Sequence, residues 1–401
     1  MNLLKTTTGV CVLILVFLTG CTANQTVSQS EDQAVLQQSK TETENPDSQN
    51  EDGDDIEISA PVISEGTTSL SDTEGTVRIV QKGTYRLTGK GKSVIIDAEN
   101  QEVRLELDNV SLNSTQLPNL YIRKAEKVTV NLTGSNAMVY ENKPLYESLN
   151  GAVYSRADLV FQGGGSLTVS SHYNNALKIK GEAEFQSGTY VLSAEENGIR
   201  TSKKLIFKGG SYVISAFQEG IESKTKLKID DGKFVISSTD DCINASKSIE
   251  INGGEIYGVS TANDGIDSNG DLIINGGLVS IAGSAWPEHS FDTNDTPFEI
   301  NGGKIIGIGV ALVIPTGVKQ PVLLIGKEIK EKCRVELKEN GQSAAVFDLP
   351  ECSQPLDCLL LSDPALKPGT VYTIYINDQK LEEVALAKDI TYAGDQTLMK
   401  E

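Results

Sequence analysis

Residues 197–221 read NGIRTSKKLIFKGGSYVISAFQEGI, and this unit decides the fold because the chain repeats its pattern. Five related triplets follow one another at separations of 22, 22, 22 and 23 residues: Asn175-Ala176-Leu177, Asn197-Gly198-Ile199, Glu219-Gly220-Ile221, Asp241-Cys242-Ile243 and Asp264-Gly265-Ile266. A fixed period in this range is typical of a solenoid, in which each repeat stacks on the next.

Two further apolar series keep the register of the triplets. They are Phe161, Phe185, Phe207, Ile229, Ile251, Ile274, Ile300, and Leu167, Tyr190, Tyr212, Phe234, Ile256, Val279, Ile305. In strands such as Lys226-Leu227-Lys228-Ile229-Asp230, polar residues flank the apolar positions, so one strand face is buried and the other is wet. A unit of 22 residues with three strands leaves no room for a helix. We therefore predict an all-β fold, a right-handed parallel β-helix.

Glycine pairs such as Gly253-Gly254 and Gly276-Gly277 recur where the chain must turn between strands. Asn252, Asn275 and Asn301 precede three of these pairs at one register. We predict that the three asparagines stack as a side-chain amide ladder inside the turn.

The first residues predict export and a lipid anchor. The apolar run from Gly9 to Leu18 is too short to span a bilayer and fits a signal peptide at residues 1–20. Leu18-Thr19-Gly20-Cys21 resembles the lipobox of bacterial lipoproteins, in which the cysteine becomes the acylated N-terminus. We expect lipidation at Cys21 and a location in the bacterial cell envelope, outside the cytoplasm; a plain secretory signal is the alternative.

Composition divides the remaining chain into three segments. Residues 21–70 form a predicted disordered linker, in which Glu31 to Glu57 holds ten acids against Lys40 alone. The predicted solenoid occupies residues 71–308. Residues 309–401 lose the period but keep strands, and we predict a C-terminal β cap or appendage because an open solenoid end exposes strand edges.

Charge and cysteines limit the partners and the chemistry. A formal net charge of −20 argues against nucleic acid and against an anionic membrane surface, so the membrane contact would come from the lipid anchor only. Cys242 lies within the repeats and is interpreted as a small buried apolar residue. Pairing among Cys333, Cys352 and Cys358 stays open, and we expect a monomer.

Several blocks together resemble the carbohydrate-binding β-helix proteins of clostridia, which are akin to polysaccharide lyase family 9. The blocks are residues 83–89, 103–110, 127–132, 150–169 (NGAVYSRADLVFQGGGSLTV), the Asp-Gly-Ile coils and 361–369 (LSDPALKPG). The resemblance implies a right-handed β-helix that binds calcium and associates with cellulose or acidic, pectin-like sugars, without firmly established catalysis. The chain departs from the common family pattern at Asn197, Glu219 and Cys242.

Two polar columns are candidates for a metal site. The turn column is Glu196-Asn197, Gln218-Glu219, Asp240-Asp241 and Asn263-Asp264, and the strand column is Lys178, Arg200, Glu222, Asn244, Asp267 and Asp292. In stacked coils, equivalent carboxylates lie about 5 Å apart, where like charges repel unless a cation lies between them. Ca²⁺ suits such oxygen ligands. The predicted ligands are Glu219, Asp240, Asp241, Asn244, Asp264 and Asp267. The alternative is that these residues only cap turns through the backbone.

Other residues could contact sugar. Lys178 and Arg200 precede the acids in the strand column, where a lyase would use a base beside a cation to abstract a uronate proton. Trp286, in a coil stretched to about 26 residues, could stack on a pyranose ring or cover the wall, and His289 follows it. The predicted function is non-catalytic, calcium-stabilised polysaccharide binding; a calcium-dependent pectate lyase and a surface adhesin or spacer are the alternatives.

Overall fold

The computed structural model describes residues 58–73, 75–143, 146–330, 332–350, 352 and 354–399. The predicted signal peptide, Cys21 and most of the predicted linker lie outside the described residues. The described chain is built from strands, with 3₁₀ turns at Leu70–Asp72 and Gln396–Leu398. None of its helices has the length and apolar content needed to cross a membrane.

The strands form a parallel β-helix, as predicted. Each complete coil adds one strand to each of three walls, named sheets A, B and C in the order in which a coil that begins at sheet A reaches them. Sheet A has ten strands: Thr76–Ile79, Ser93–Asp97, Leu120–Lys124, Gly151–Ser155, Asn175–Ile179, Ile199–Thr201, Ile221–Ser223, Ile243–Ala245, Ile266–Ser268 and Phe291–Thr293.

Sheets B and C are continuous with one another in the first coils, because the long strands Gly83–Gly91 and Glu102–Ser114 contribute to both. The other strands of sheet B are Gly66–Ser69, Lys127–Thr133, Asp158–Gly163, Ala183–Phe185, Leu205–Phe207, Lys226–Ile229, Ser248–Ile251, Asp271–Ile274, Phe298–Ile300 and Gly317–Val318. The other strands of sheet C are Ser135–Tyr140, Ser166–Ser171, Thr189–Ala194, Ser211–Ala216, Lys233–Ser238, Glu255–Ser260, Leu278–Ala282 and Lys304–Gly309.

All three predicted apolar series are confirmed as stacked, buried columns. Leu177 pairs with Ile199, Phe185 with Phe207 and Tyr190 with Tyr212, and the later members continue each column. The rings stack face to face: the centroids of Tyr190 and Tyr212 are 4.9 Å apart at an interplanar angle of 5°. Offset stacking of this kind stabilises beyond the area that it buries.

The amide ladder is also confirmed. The side-chain amide of Asn275 donates to Asn252 Oδ1 at 2.8 Å, and that of Asn301 donates to Asn275 Oδ1 at 3.0 Å. Asn252 in turn donates to Asp230 at 2.8 Å. The polar turn is therefore bonded along the solenoid axis.

Beyond the last coil, the pairing becomes antiparallel. Leu356–Ser362 pairs with Lys304–Gly309 and with Val322–Ile329, which also takes Ile390–Gly394 as a parallel neighbour. A separate antiparallel sheet contains Gln342–Asp348, Arg334–Glu339, Val371–Ile376 and Gln379–Ala385. A second apolar core, which includes Ile306 of sheet C, Leu323 and Phe347, joins these strands to the outside of sheet C.

Cys242 is fully buried, as predicted, and the structure explains how it fits. In three coils this position is Gly198, Gly220 or Gly265, and an added Cβ would lie 1.9 to 2.4 Å from an isoleucine Cγ2 of sheet C. In the Cys242 coil the facing residue is Gly258, whose added Cβ would lie 3.1 Å from the Cys242 sulfur. In this coil the larger residue is in the turn and the glycine is on sheet C, which reverses the arrangement of the other three coils.

This exchange predicts an energetic coupling between Cys242 and Gly258. Gly258→Ile should destabilise by about 1–3 kcal/mol through overpacking, and Cys242→Gly should destabilise by leaving a void. The double variant recreates the packing of neighbouring coils, so we expect it to be more stable than the sum of the single effects by about 1 kcal/mol or more. Urea denaturation of the four proteins measures this coupling.

The control pairs Gly258→Ile with Gly164→Ala, since a Cβ at Gly164 meets no atom within 4 Å. These two changes should be additive. Additivity of the Cys242 and Gly258 changes would contradict the packing argument.

Candidate functional site

The predicted strand column is confirmed as a single row on the outer face of sheet A. Each member pairs with the next across adjacent coils, in the order Lys178, Arg200, Glu222, Asn244, Asp267 and Asp292. In parallel pairing, successive members are about 4.8 Å apart. The fold therefore turns acids that are distant in sequence into neighbours.

A second row lies in the turn that leads into sheet A. Its members Asn197, Asp241 and Asp264 are all buried, with 0%, 3% and 6% of their surface exposed. The backbone bonds Gly220 N to Asp241 O and Gly265 N to His289 O, both 2.9 Å, fix the order of the row. The complete turn row is Asn175, Asn197, Glu219, Asp241, Asp264 and His289.

The centre of the site is a cluster around Asp241. The Asn244 amide donates to Asp241 Oδ2 at 3.0 Å and to Asp267 Oδ2 at 2.8 Å, so it bridges the two carboxylates. The Asp264 backbone N–H donates to Asp241 Oδ1 at 3.1 Å. Burial, aided by the charges of Asp267, Asp240 and Asp264, raises the pKa of Asp241 to about 9. At neutral pH this carboxyl is therefore protonated unless a cation is bound.

A second group joins this cluster at the last coil. Asp264, His289 and Asp292 each offer a ligand atom, and these atoms all lie within 4.8 Å of one another. Asp264 accepts a bond from the backbone N–H of His289, and its Oδ1 is 3.6 Å from His289 Nδ1. The hydrogen bond to Asp264 raises the pKa of His289.

Of the six residues predicted as calcium ligands, four form the hydrogen-bonded cluster around Asp241 and two lie beside it. Asp241, Asn244, Asp264 and Asp267 are joined through the hydrogen bonds above. Asp240 lies beside them and accepts a bond from the Asn263 amide. Glu219 lies nearer Glu222; burial, then the charges of Glu222 and Asp240, raises its pKa.

The donor atoms fit a hard cation. The cluster presents carboxylate oxygens from several coils, the ligand type that Ca²⁺ prefers. A buried carboxyl that is forced to keep its proton, as Asp241 is, is a feature that a bound cation would relieve.

The structure places Lys178 and Arg200 away from this cluster. Arg200 Nε is 3.0 Å from Glu222 Oε2, and Lys224 forms an ion pair with the same fully buried carboxylate. Lys178 is buried, with 3% exposed, and is four coils from Asp267 in the strand row. At about 4.8 Å per coil, the separation along the axis is about 19 Å.

The other two residues predicted to contact sugar, Trp286 and His289, lie in different environments. His289 belongs to the turn row, whereas Trp286 is 56% exposed on the excursion that precedes it. The sequence placed Asp292 in the strand column but not among the six predicted ligands, and it did not indicate that His289 completes the turn row. A usable signal was present: His289 precedes Phe291 by two residues, as Asp264 precedes Ile266.

A curated relative and a family model agree with the resemblance read from the sequence. A protein of Acetivibrio thermocellus described as a carbohydrate-binding domain-containing protein is 28% identical over 143 residues, which are 33% of this chain and 50% of that protein. The chain thus spans about half the length of this curated relative. A solved structure described as the polysaccharide lyase-like protein from C. thermocellum is 27% identical and covers 50% of this chain and 88% of its own, with a TM-score of 0.48.

The family model described as carbohydrate-binding domain-containing protein matches residues 73–306, which is more than half of the chain and nearly the whole solenoid. The chain belongs to this family of carbohydrate-binding domain-containing proteins.

Proposed function

We propose that the protein is a lipid-anchored, extracytoplasmic protein that binds polysaccharide, either cellulose or acidic pectin-like sugars, without cutting it. The observation that carries this proposal is the family match, which extends over the coils from residue 73 to residue 306. The matched segment is nearly the whole solenoid, and we assign the binding function to it.

Calcium is the second part of the proposal. Support comes from the acid cluster, in which Asn244 bridges Asp241 and Asp267 of adjacent coils and the Asp264 backbone N–H donates to the buried Asp241. The family resemblance implies the same ion. A Ca²⁺ ion held there would neutralise like charges that burial otherwise forbids, and it would stiffen the coils that it joins.

Geometry favours binding over catalysis. A lyase of the predicted kind needs its base within hydrogen-bond reach of a proton next to the cation. Lys178 is about 19 Å along the axis from Asp267, by the spacing of coils, and Arg200 is engaged with Glu222. A sugar ring at the acid cluster would therefore be out of reach of both predicted bases.

A binding assay distinguishes these functions. The full chain should be retained on insoluble cellulose or on polygalacturonate, and incubation with polygalacturonate and Ca²⁺ should produce no ultraviolet absorbance from an unsaturated uronate. Heat-denatured protein is the control for adhesion of an acidic chain. Absorbance that appears with the wild-type chain and disappears with Lys178→Ala would instead establish the lyase.

Calcium binding should be linked to pH through Asp241. Because folding raises its pKa from an ordinary value near 4 to about 9, the metal-free protein should lose stability as pH rises through this range. Ca²⁺ favours the ionised form, so stabilisation by Ca²⁺ should be larger at pH 8.5 than at pH 5.5. At a hundredfold excess over Kd the gain is about 2.7 kcal/mol, measurable as a rise in Tm.

Asp241→Asn should lose most of both the calcium response and the pH dependence. Asp271→Asn removes the same charge from an exposed position on sheet B, within the coil that carries Asp267, and should keep both. An equal calcium response in the two variants would rule out the proposed site.

Two cysteines near the N-terminus, Cys21 and Cys11, provide a test of the lipid anchor and its control. Cys21→Ala should abolish labelling by a fatty acid and move the protein from the membrane to the soluble fraction, because one thiol carries the anchor. Cys11→Ala, within the apolar run of the signal, should leave both unchanged. Labelling that persists in Cys21→Ala would exclude Cys21 as the attachment site.

A further inference from the structure

Three aromatic side chains project from one edge of the solenoid. Tyr173, Phe217 and Trp286 are 53%, 63% and 56% exposed. Each lies in the turn that carries the chain from sheet C to sheet A: Tyr173 after Ser166–Ser171, Phe217 after Ser211–Ala216 and Trp286 after Leu278–Ala282. Large exposed aromatic surfaces are costly in water and often mark binding sites.

Backbone bonds show that these turns are stacked. The turn residues His172, Glu195 and Phe217 donate to the carbonyls of Tyr140, Ser171 and Ala194 on the preceding coil, at 3.1, 3.3 and 3.1 Å. Thr239 and Thr261 continue this position on the next two coils. Ser284, near the base of the Trp286 excursion, is bonded at 3.0 Å to Asn263 of the coil before it. The edge is thus one continuous backbone stack.

The aromatic side chains are separated by whole coils. Phe217 lies two coils beyond Tyr173, and Trp286 lies three coils beyond Phe217. With about 4.8 Å per coil, the separations along the axis are about 10 and 14 Å. One coil advances by roughly the length of one pyranose ring in an extended glycan, so a chain laid along the axis would bring sugar rings near all three side chains.

The charge of the edge selects among glycans. Glu195, Glu196 and Asp240 lie in other turns of the same edge, and the chain as a whole carries −20. These acids repel a polyuronate but accept hydrogen bonds from neutral sugar hydroxyls. The C–H face of a pyranose packs on the negative face of an aromatic ring.

We propose that Tyr173, Phe217 and Trp286, which we call the aromatic row, seat an extended neutral glycan that runs parallel to the solenoid axis. This inference rests on the proposed polysaccharide binding and assigns it a surface and a substrate class. The aromatic row is the exposed part of the same edge whose buried turn residues Asp241 and Asp264 belong to the acid cluster.

Loss-of-function variants test the aromatic row. Phe217→Ala and Trp286→Ala in the full chain should each weaken retention on insoluble cellulose about tenfold, as truncation of an exposed aromatic anchor does. The triple variant with Tyr173→Ala should not be retained. Val213→Ala is the matched control, because Val213 is exposed on the outer face of sheet C and should be neutral.

A gain-of-function variant makes the test independent of folding defects. Thr261 is exposed at the turn position of Phe217, two coils further along. Thr261→Trp adds an aromatic ring between Phe217 and Trp286 and should tighten cellulose binding several-fold. Val213→Trp adds the same ring on sheet C and should not.

The outcomes separate this inference from the proposed function. Absence of wild-type binding to both cellulose and polygalacturonate would overturn the proposed function itself. Wild-type binding that the row variants leave unchanged, or that Val213→Trp improves as much as Thr261→Trp does, would overturn the aromatic row alone. Binding to polygalacturonate only would reject the neutral glycan.

Discussion

The in-register backbone hydrogen bonding between coils is the constraint on which the rest of the structure depends. Each sheet strand pairs with its equivalent on the next coil, as Tyr190 does with Tyr212 and Lys178 with Arg200. A side chain therefore has its own counterpart as neighbour, about 4.8 Å away. Similar side chains at equivalent positions are therefore repeated along the solenoid axis.

This repetition is favourable for apolar and amide side chains and costly for carboxylates. Apolar and amide side chains gain from identical neighbours, as the stacked tyrosines and the asparagine ladder do. Carboxylates lose, because repulsion grows as water is excluded. The acidic coils reduce this cost by interposing neutral groups: Asn244 bridges Asp241 and Asp267. The remaining repulsion appears as the raised pKa of Asp241, which either a proton or a cation relieves.

Sequence predicted what is periodic and missed what is not. The three apolar columns, the asparagine ladder and the strand row all follow from a fixed offset, which is visible without coordinates. The exchange of Cys242 with Gly258 depends on contacts between different walls of one coil. The place of His289 in the turn row was hidden by the lengthened coil, and the antiparallel pairing of Leu356–Ser362 with the last coil has no repeat to reveal it.

The outer faces of sheets A and C are partly covered by other residues, which favours the turn between them as a binding surface. Along the outer face of sheet A, the row begins with Ile95, Tyr121 and Tyr154, which are buried with Leu149 and partly buried Leu117. It ends in the acid cluster. The outer face of sheet C is covered near its end by the core that contains Ile306 and Leu323. Each of these faces is thus occupied over part of its length.

The turn between sheets C and A carries exposed aromatic side chains from the coil of Tyr173 to that of Trp286. A rigid solenoid fixes the spacing of these side chains before any ligand arrives, so little conformational entropy is lost on binding. An extended glycan is itself a repeating, rod-like ligand. The sugar rings can align with the coils without closure of a loop, because the backbone hydrogen bonds keep the spacing of coils along the axis constant.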